Sequence, residues 1–249
     1  MRFRVALAAM AAFLLSSLAA APASAGPYSD WAAIVVAGDW HAHSGAPSEV
    51  FDNARRDISA ALVHIGFSPN NVLQFSVNPD RYPDAHARHS DAQVISTALW
   101  DLSNRTSGGC LAYFTSHGSP DGIVMDEGTF SPDQMEQILS NACGDRPTVV
   151  IVSACFSGVF VPVLAGPGRF VFTAARPDRT SFGCGESDKY TFFDTCFLQS
   201  LPANSNFPDL AEAVKSCVGA REQKIGVEYP SEPQLYIGAD MGAKLPKWR

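Results

Sequence analysis

Two side chains of this 249-residue sequence have the types and setting for covalent chemistry: His117 in Ser116-His117-Gly118, and Cys155 in Ala154-Cys155-Phe156-Ser157-Gly158. A thiol attacks a carbonyl as its thiolate. A neighbouring imidazole can take the thiol proton and later return it to a leaving amine. Gly118 lets the backbone approach a substrate closely, so its N–H and that of Cys155 would form an oxyanion hole. The bland alternative is a buried cysteine and a solvated loop histidine. Both residues stand just past the end of an apolar run and a glycine follows the histidine, and on the residues alone the two readings stand level. Other cysteine chemistries fit poorly. A tyrosine-phosphatase loop needs an arginine about six residues after the cysteine, where Val161 stands, and no Cys-x-x-Cys pair occurs.

The elements that must position these residues are legible as alternating apolar runs and amphipathic stretches. Ala32 to Gly38 reads as a buried strand, as do Val72–Val77, Cys110–Thr115, Thr148–Val152 and Phe170–Ala175. Between them, Ser48–Ile65 carries a helical stripe closed by Gly66. Asp91 or Ser90 can cap a helix running to about Asn104, with Val94, Ile95, Ala98, Leu99 and Leu102 facing inward. Gly122–Phe130 reads as a hairpin, and Ser131-Pro132 starts a further helix. Phe156–Leu164, Tyr190–Leu201 and Leu210–Arg221 read as helical, and Gln234–Ile237 as a last short strand. This alternation predicts an α/β fold, a three-layer α/β/α sandwich with a mostly parallel sheet. Ligands then gather beyond the carboxyl ends of the strands, where His117 and Cys155 both fall.

The N-terminus predicts export. Arg2 and Arg4 precede an apolar run from Val5 to Leu18, and small residues end in Ala23-Ser24-Ala25. That run is shorter than the roughly 20 residues needed to cross a bilayer. Residues 1–25 therefore read as a cleaved signal peptide and 26–249 as a single domain, periplasmic or secreted and free of the membrane after cleavage. A formal charge of −7 argues against nucleic-acid binding. Six cysteines in an exported chain imply disulfides, with Cys184 the expected bridge partner, paired to Cys217. His41 and His43, and His86 and His89 beside Asp84 and Asp91, read as solvated loops rather than metal ligands. Gly38-Asp39-Trp40 lacks the residues of a phosphate loop, so no cofactor and no metal are expected.

The ordered set of segments resembles the legumain family of cysteine peptidases, its bacterial branch in particular. They are Phe114-Thr115-Ser116-His117-Gly118-Ser119, Val150 to Gly158, Thr173-Ala174-Ala175 leading to Asp188, and Tyr229 to Gln234. The resemblance runs from about Ala32 to Gly238 and implies a caspase-like fold acting on peptide or protein substrates. It makes His117 the general base and acid, Cys155 the nucleophile and Gly118 an oxyanion donor. Thr180, Ser181 and Asp194 fall where the family places residues lining the substrate pocket. The sequence departs from legumain at Ser153 and Phe156, where legumain is acidic. It also has no arginine at Val50 to Asn53, where legumain's pocket uses one; Arg55 and Arg56 are nearby. Two other readings remain open: transfer of the same acyl-enzyme to an amine, and a catalytically inactive binding module on the same fold.

Overall fold

The computed structural model describes residues 26–249. The signal-peptide expectation lies outside the described residues. The first strand, β1 (Ala32–Ala37), is followed by α1 (Val50–His64), β2 (Val72–Ser76), β3 (Arg88–His89) and α2 (Ala92–Asn104). Then come β4 (Cys110–Thr115), a small hairpin sheet of β5 (Gly118–Ser119), β6 (Gly122–Met125) and β7 (Gly128–Phe130), and α3 (Pro132–Cys143). The second half holds β8 (Thr148–Ser153), α4 (Phe160–Leu164), β9 (Arg169–Thr173), α5 (Phe192–Ser200), α6 (Phe207–Lys224), β10 (Gln234–Ile237) and α7 (Met241–Lys244). The expected elements are present with boundaries within about three residues, as is usual when ends are read from pattern alone.

The main sheet runs β10-β9-β8-β4-β1-β2-β3, parallel throughout except for β10. Its unbroken apolar strands follow from burial on both faces. Ala33, Val35, Tyr113 and Ile151 point to one core with residues of α1, α5 and α6. Ala32, Ile34, Val36, Phe114 and Val152 point to the other with α2, α3 and α4. Asp91 caps α2 by accepting from the Gln93 and Val94 N–H groups, and Ser131 with Gln134 forms a capping box on α3.

Three expectations are corrected. Cys184 does not pair with Cys217. The bridges are Cys110–Cys143, tying β4 to α3, and Cys196–Cys217, tying α5 to α6, while Cys155 and Cys184 are free. The reason is position: Cys217 lies on α6, which packs along α5, whereas Cys184 packs against Ala37, Val50 and Phe51. Val94 is 37% exposed, because the buried stripe of α2 is Ile95, Ala98, Leu99 and Leu102 and Val94 stands one residue off it. Finally, the helix expected from Phe156 begins as a 3-10 turn at Ser157–Val159, because Phe156 itself is left-handed at φ 57°.

Candidate active site

The neighbouring strands β4 and β8 end level, with Thr115 opposite Ser153, and the ladder gains one more bond from Ser116 N–H to the Ser153 carbonyl at 3.1 Å. Beyond it the chains diverge and expose His117 and Cys155, both half-buried. Gly118 lies directly against the Cys155 backbone. A Cβ there would sit 2.1 Å from the Cys155 carbonyl oxygen. No side chain fits in that gap, which is why glycine follows the histidine.

The His117 Nε2 lies 3.1 Å from the His41 carbonyl oxygen, and its ring meets the Phe51 ring edge-on at 5.0 Å. A carbonyl only accepts, so Nε2 carries the proton and Nδ1 is the free base. The residue that carries this carbonyl is fixed by Asp39, whose Oδ1 accepts the Trp40 N–H at 2.6 Å, the His41 N–H at 3.0 Å and the His41 ring Nδ1–H at 2.8 Å.

The letters after Cys155 each have a structural duty. The Phe156 N–H donates to the Arg179 carbonyl at 2.8 Å, fixing the left-handed turn. Ser157 Oγ donates to the Ala154 carbonyl at 2.7 Å and accepts the Ala175 N–H at 3.1 Å. Gly158 admits Pro177, whose Cδ would lie 2.5 Å from a Cβ. The Cys155 N–H donates to no protein acceptor among the described residues. Gly118 and Ile123 form a pair without mutual hydrogen bonds, because the Val124 N–H already donates to His117 O, so the Gly118 N–H also points away from the hairpin. Two N–H groups are thus left beside the thiol.

Ser181 touches the sulfur: its N–H donates to Cys155 Sγ at 3.2 Å and its Oγ is 3.6 Å away. Thr180, the residue before it, is exposed. Asp194 is neither a surface carboxylate nor open to solvent. It is 0% exposed and accepts hydrogen bonds from Tyr113 Oη and Thr115 Oγ1, each at 2.7 Å. Burial pushes its pKa up, opposed by these hydroxyls. Arg55 is occupied in the core by Asp52 and Gln74, and Arg56 by Asn53 and the Tyr82 ring. Among the described residues, no three His, Cys, Asp or Glu side chains gather to hold a metal. A large recess at Trp40, Arg81 and His89 contains neither His117 nor Cys155. A smaller one is lined by Asp39, His41, His43 and His117, so the loop read as merely solvated borders the site. Cys184 is close enough for the Cys155 charge to be felt there. Its pKa is pushed up to about 11, by burial first and by Cys155 second.

A model of the Peptidase C13 family matches residues 77–224, a stretch that contains His117, Cys155 and the 180s loop. The chain belongs to the Peptidase C13 family. This is the legumain family of cysteine peptidases, and the fold agrees. The crystal structure of caspase-1 from Spodoptera frugiperda superposes with a TM-score of 0.61 at 13% identity, covering 86% of this chain and 88% of that one. No curated protein matches the sequence. The C13 match begins after β1 and α1, so Asp39, His41 and Phe51 enter the site through the fold alone.

Asp194 braces this C13 site from below, and its replacement has a defined expectation. Asp194→Ala leaves the buried hydroxyls of Tyr113 and Thr115 unpaired, each worth about 1–3 kcal/mol, so a loss of roughly 2–5 kcal/mol is expected in urea unfolding. Asp194→Asn keeps an acceptor for Tyr113 and a donor for Thr115, and should cost less than about 1.5 kcal/mol. The raised folded pKa means that the native state holds its proton where the unfolded chain has lost it. Wild-type stability relative to Asp194→Asn should therefore fall as pH rises through the carboxylate range. An Ala variant within about 0.5 kcal/mol of wild type would refute the bracing role.

Proposed function

We propose that this C13 member is an exported cysteine endopeptidase, with Cys155 as nucleophile and His117 as general base and acid. One observation carries the reading: Gly118 sits against the Cys155 carbonyl while His117 presents an unprotonated Nδ1, its Nε2–H being engaged by His41. The thiol proton passes to Nδ1 and the sulfur attacks the scissile carbonyl. The Gly118 and Cys155 N–H groups receive the oxyanion. The imidazolium then protonates the leaving amine, and water, deprotonated by the same imidazole, hydrolyses the thioester. Ser181 borders the sulfur, where the residue preceding the scissile bond would lie, Thr180 stands exposed next to it in the chain, and Asp194 supports the floor beneath. Two disulfides support an oxidising compartment and so agree with export.

Iodoacetamide labelling with peptide mapping tests the site. Cys155 is expected to label rapidly near pH 7, and at least about tenfold more slowly in His117→Ala. Cys184, with a pKa near 11, serves as the slow internal reference. Labelling of Cys155 no faster than Cys184, or unchanged in His117→Ala, would favour an inactive binding module.

A further inference from the structure

We infer that Asp39 is a positioning residue for His117, acting through the main-chain carbonyl of His41; the inference rests on the catalytic roles proposed above. The loop after β1 has to place one carbonyl oxygen against Nε2, and a polar twelve-residue loop, 38–49, does not do so unaided. Asp39 supplies the constraint. A single carboxylate oxygen gathers the N–H of Trp40, the N–H of His41 and the ring Nδ1–H of His41, which folds the chain back at the strand end. The Ala42 N–H then closes a tight turn on Ala46 at 2.7 Å, and the His43 N–H donates to Cys184 at 3.0 Å. With the loop so fixed, the His41 carbonyl reaches Nε2 at 3.1 Å and Phe51 supports the ring from the side.

The consequence is a choice of tautomer. A neutral imidazole protonated at Nδ1 cannot accept the thiol proton there. The carbonyl stabilises the form protonated at Nε2, and its placement depends on Asp39. The other titratable groups around His117 are His41 and His43 on the same loop, Cys155 on the loop after β8, and Cys184 beyond Phe51. Among the described residues none of them makes a hydrogen bond to the His117 ring, so the His41 carbonyl is its one fixed polar contact.

The experiment compares Asp39→Ala, Asp39→Asn and wild type by the iodoacetamide rate at Cys155 and by nitrogen NMR of histidine-labelled protein. Asp39→Ala is expected to slow Cys155 alkylation about tenfold and to turn the His117 signals from one tautomer, protonated at Nε2, into a mixture. Asp39→Asn retains an oxygen acceptor for both backbone N–H groups and should stay within about threefold of wild type with the tautomer kept. Should Asp39→Ala fail to fold, Asp39→Glu, which displaces the same carboxylate by one methylene, should show the same direction of change. The inference is overturned if the folded variant keeps both the wild-type rate and the single tautomer. It is equally overturned if Asn and Ala slow the thiol alike. If His117→Ala itself leaves Cys155 alkylation unchanged, the catalytic reading fails instead, and the two failures are thereby separate.

Discussion

Peptide hydrolysis is expected to disappear in Cys155→Ala and to fall by about 10³-fold or more in kcat in His117→Ala. The asymmetry follows from what each variant leaves behind. Without Cys155 the sulfur that forms the thioester is gone, and the other free thiol is no substitute. Cys184 is packed against Ala37, Val50 and Phe51, and with a pKa near 11 it is almost wholly protonated at neutral pH. Without His117 the thiol remains beside the Gly118 and Cys155 N–H groups, so oxyanion stabilisation and substrate binding survive and a residual rate should persist. The two residues act as a unit, so the double variant should be no worse than Cys155→Ala alone. Steady-state rates on a peptide library, with mass spectrometry for the acyl-enzyme in wild type, make the comparison. Retention of more than about 1% of activity in Cys155→Ala would remove that cysteine from the role of nucleophile.

How much of this was legible in the sequence depended on whether a local pattern carried the information. The strands were legible because a doubly covered parallel sheet writes itself as unbroken apolar runs; Ala32 to Val36 contributes to both cores in alternation. The His-Gly and Ala-Cys-x-Ser-Gly letters were legible as a family resemblance, though the duties of Ser157 and Gly158 emerged only from their contacts with Ala175 and Pro177. The disulfides were not legible, since Cys196 and Cys217 meet only through the packing of α5 on α6. Asp39 was invisible for a related reason: it acts through a backbone carbonyl, and a carbonyl has no letter. Asp194 offered a signal that could have been read. Thr191 three residues earlier marks a helix cap, and Phe193 and Phe197 flank the carboxylate on the buried face.

Gly118→Ala is the second change with a large expected effect, and it separates geometry from chemistry because it removes no reactive group. The new methyl would meet the Cys155 carbonyl oxygen at 2.1 Å, with the Ala154 Cβ and the Cys155 carbonyl carbon at 3.1 Å. The closest obstacle is backbone, which cannot rotate out of the way as the end of a long side chain can. The segments that carry His117 and Cys155 must therefore move apart. That displaces the Gly118 N–H from the oxyanion position and the His117 Nδ1 from the thiol together, a loss expected at about 10²–10³-fold in kcat. Overpacking should also lower stability by roughly 1–3 kcal/mol. Gly219→Ala is the matching control. It lies within α6 with nothing within 4 Å of the added methyl, so it should raise stability by about 0.5–1 kcal/mol and leave the rate unchanged. A Gly118→Ala enzyme that retains wild-type kcat would mean that these two loops are free to separate without consequence, and the close approach of Gly118 to Cys155 would no longer support the catalytic pair.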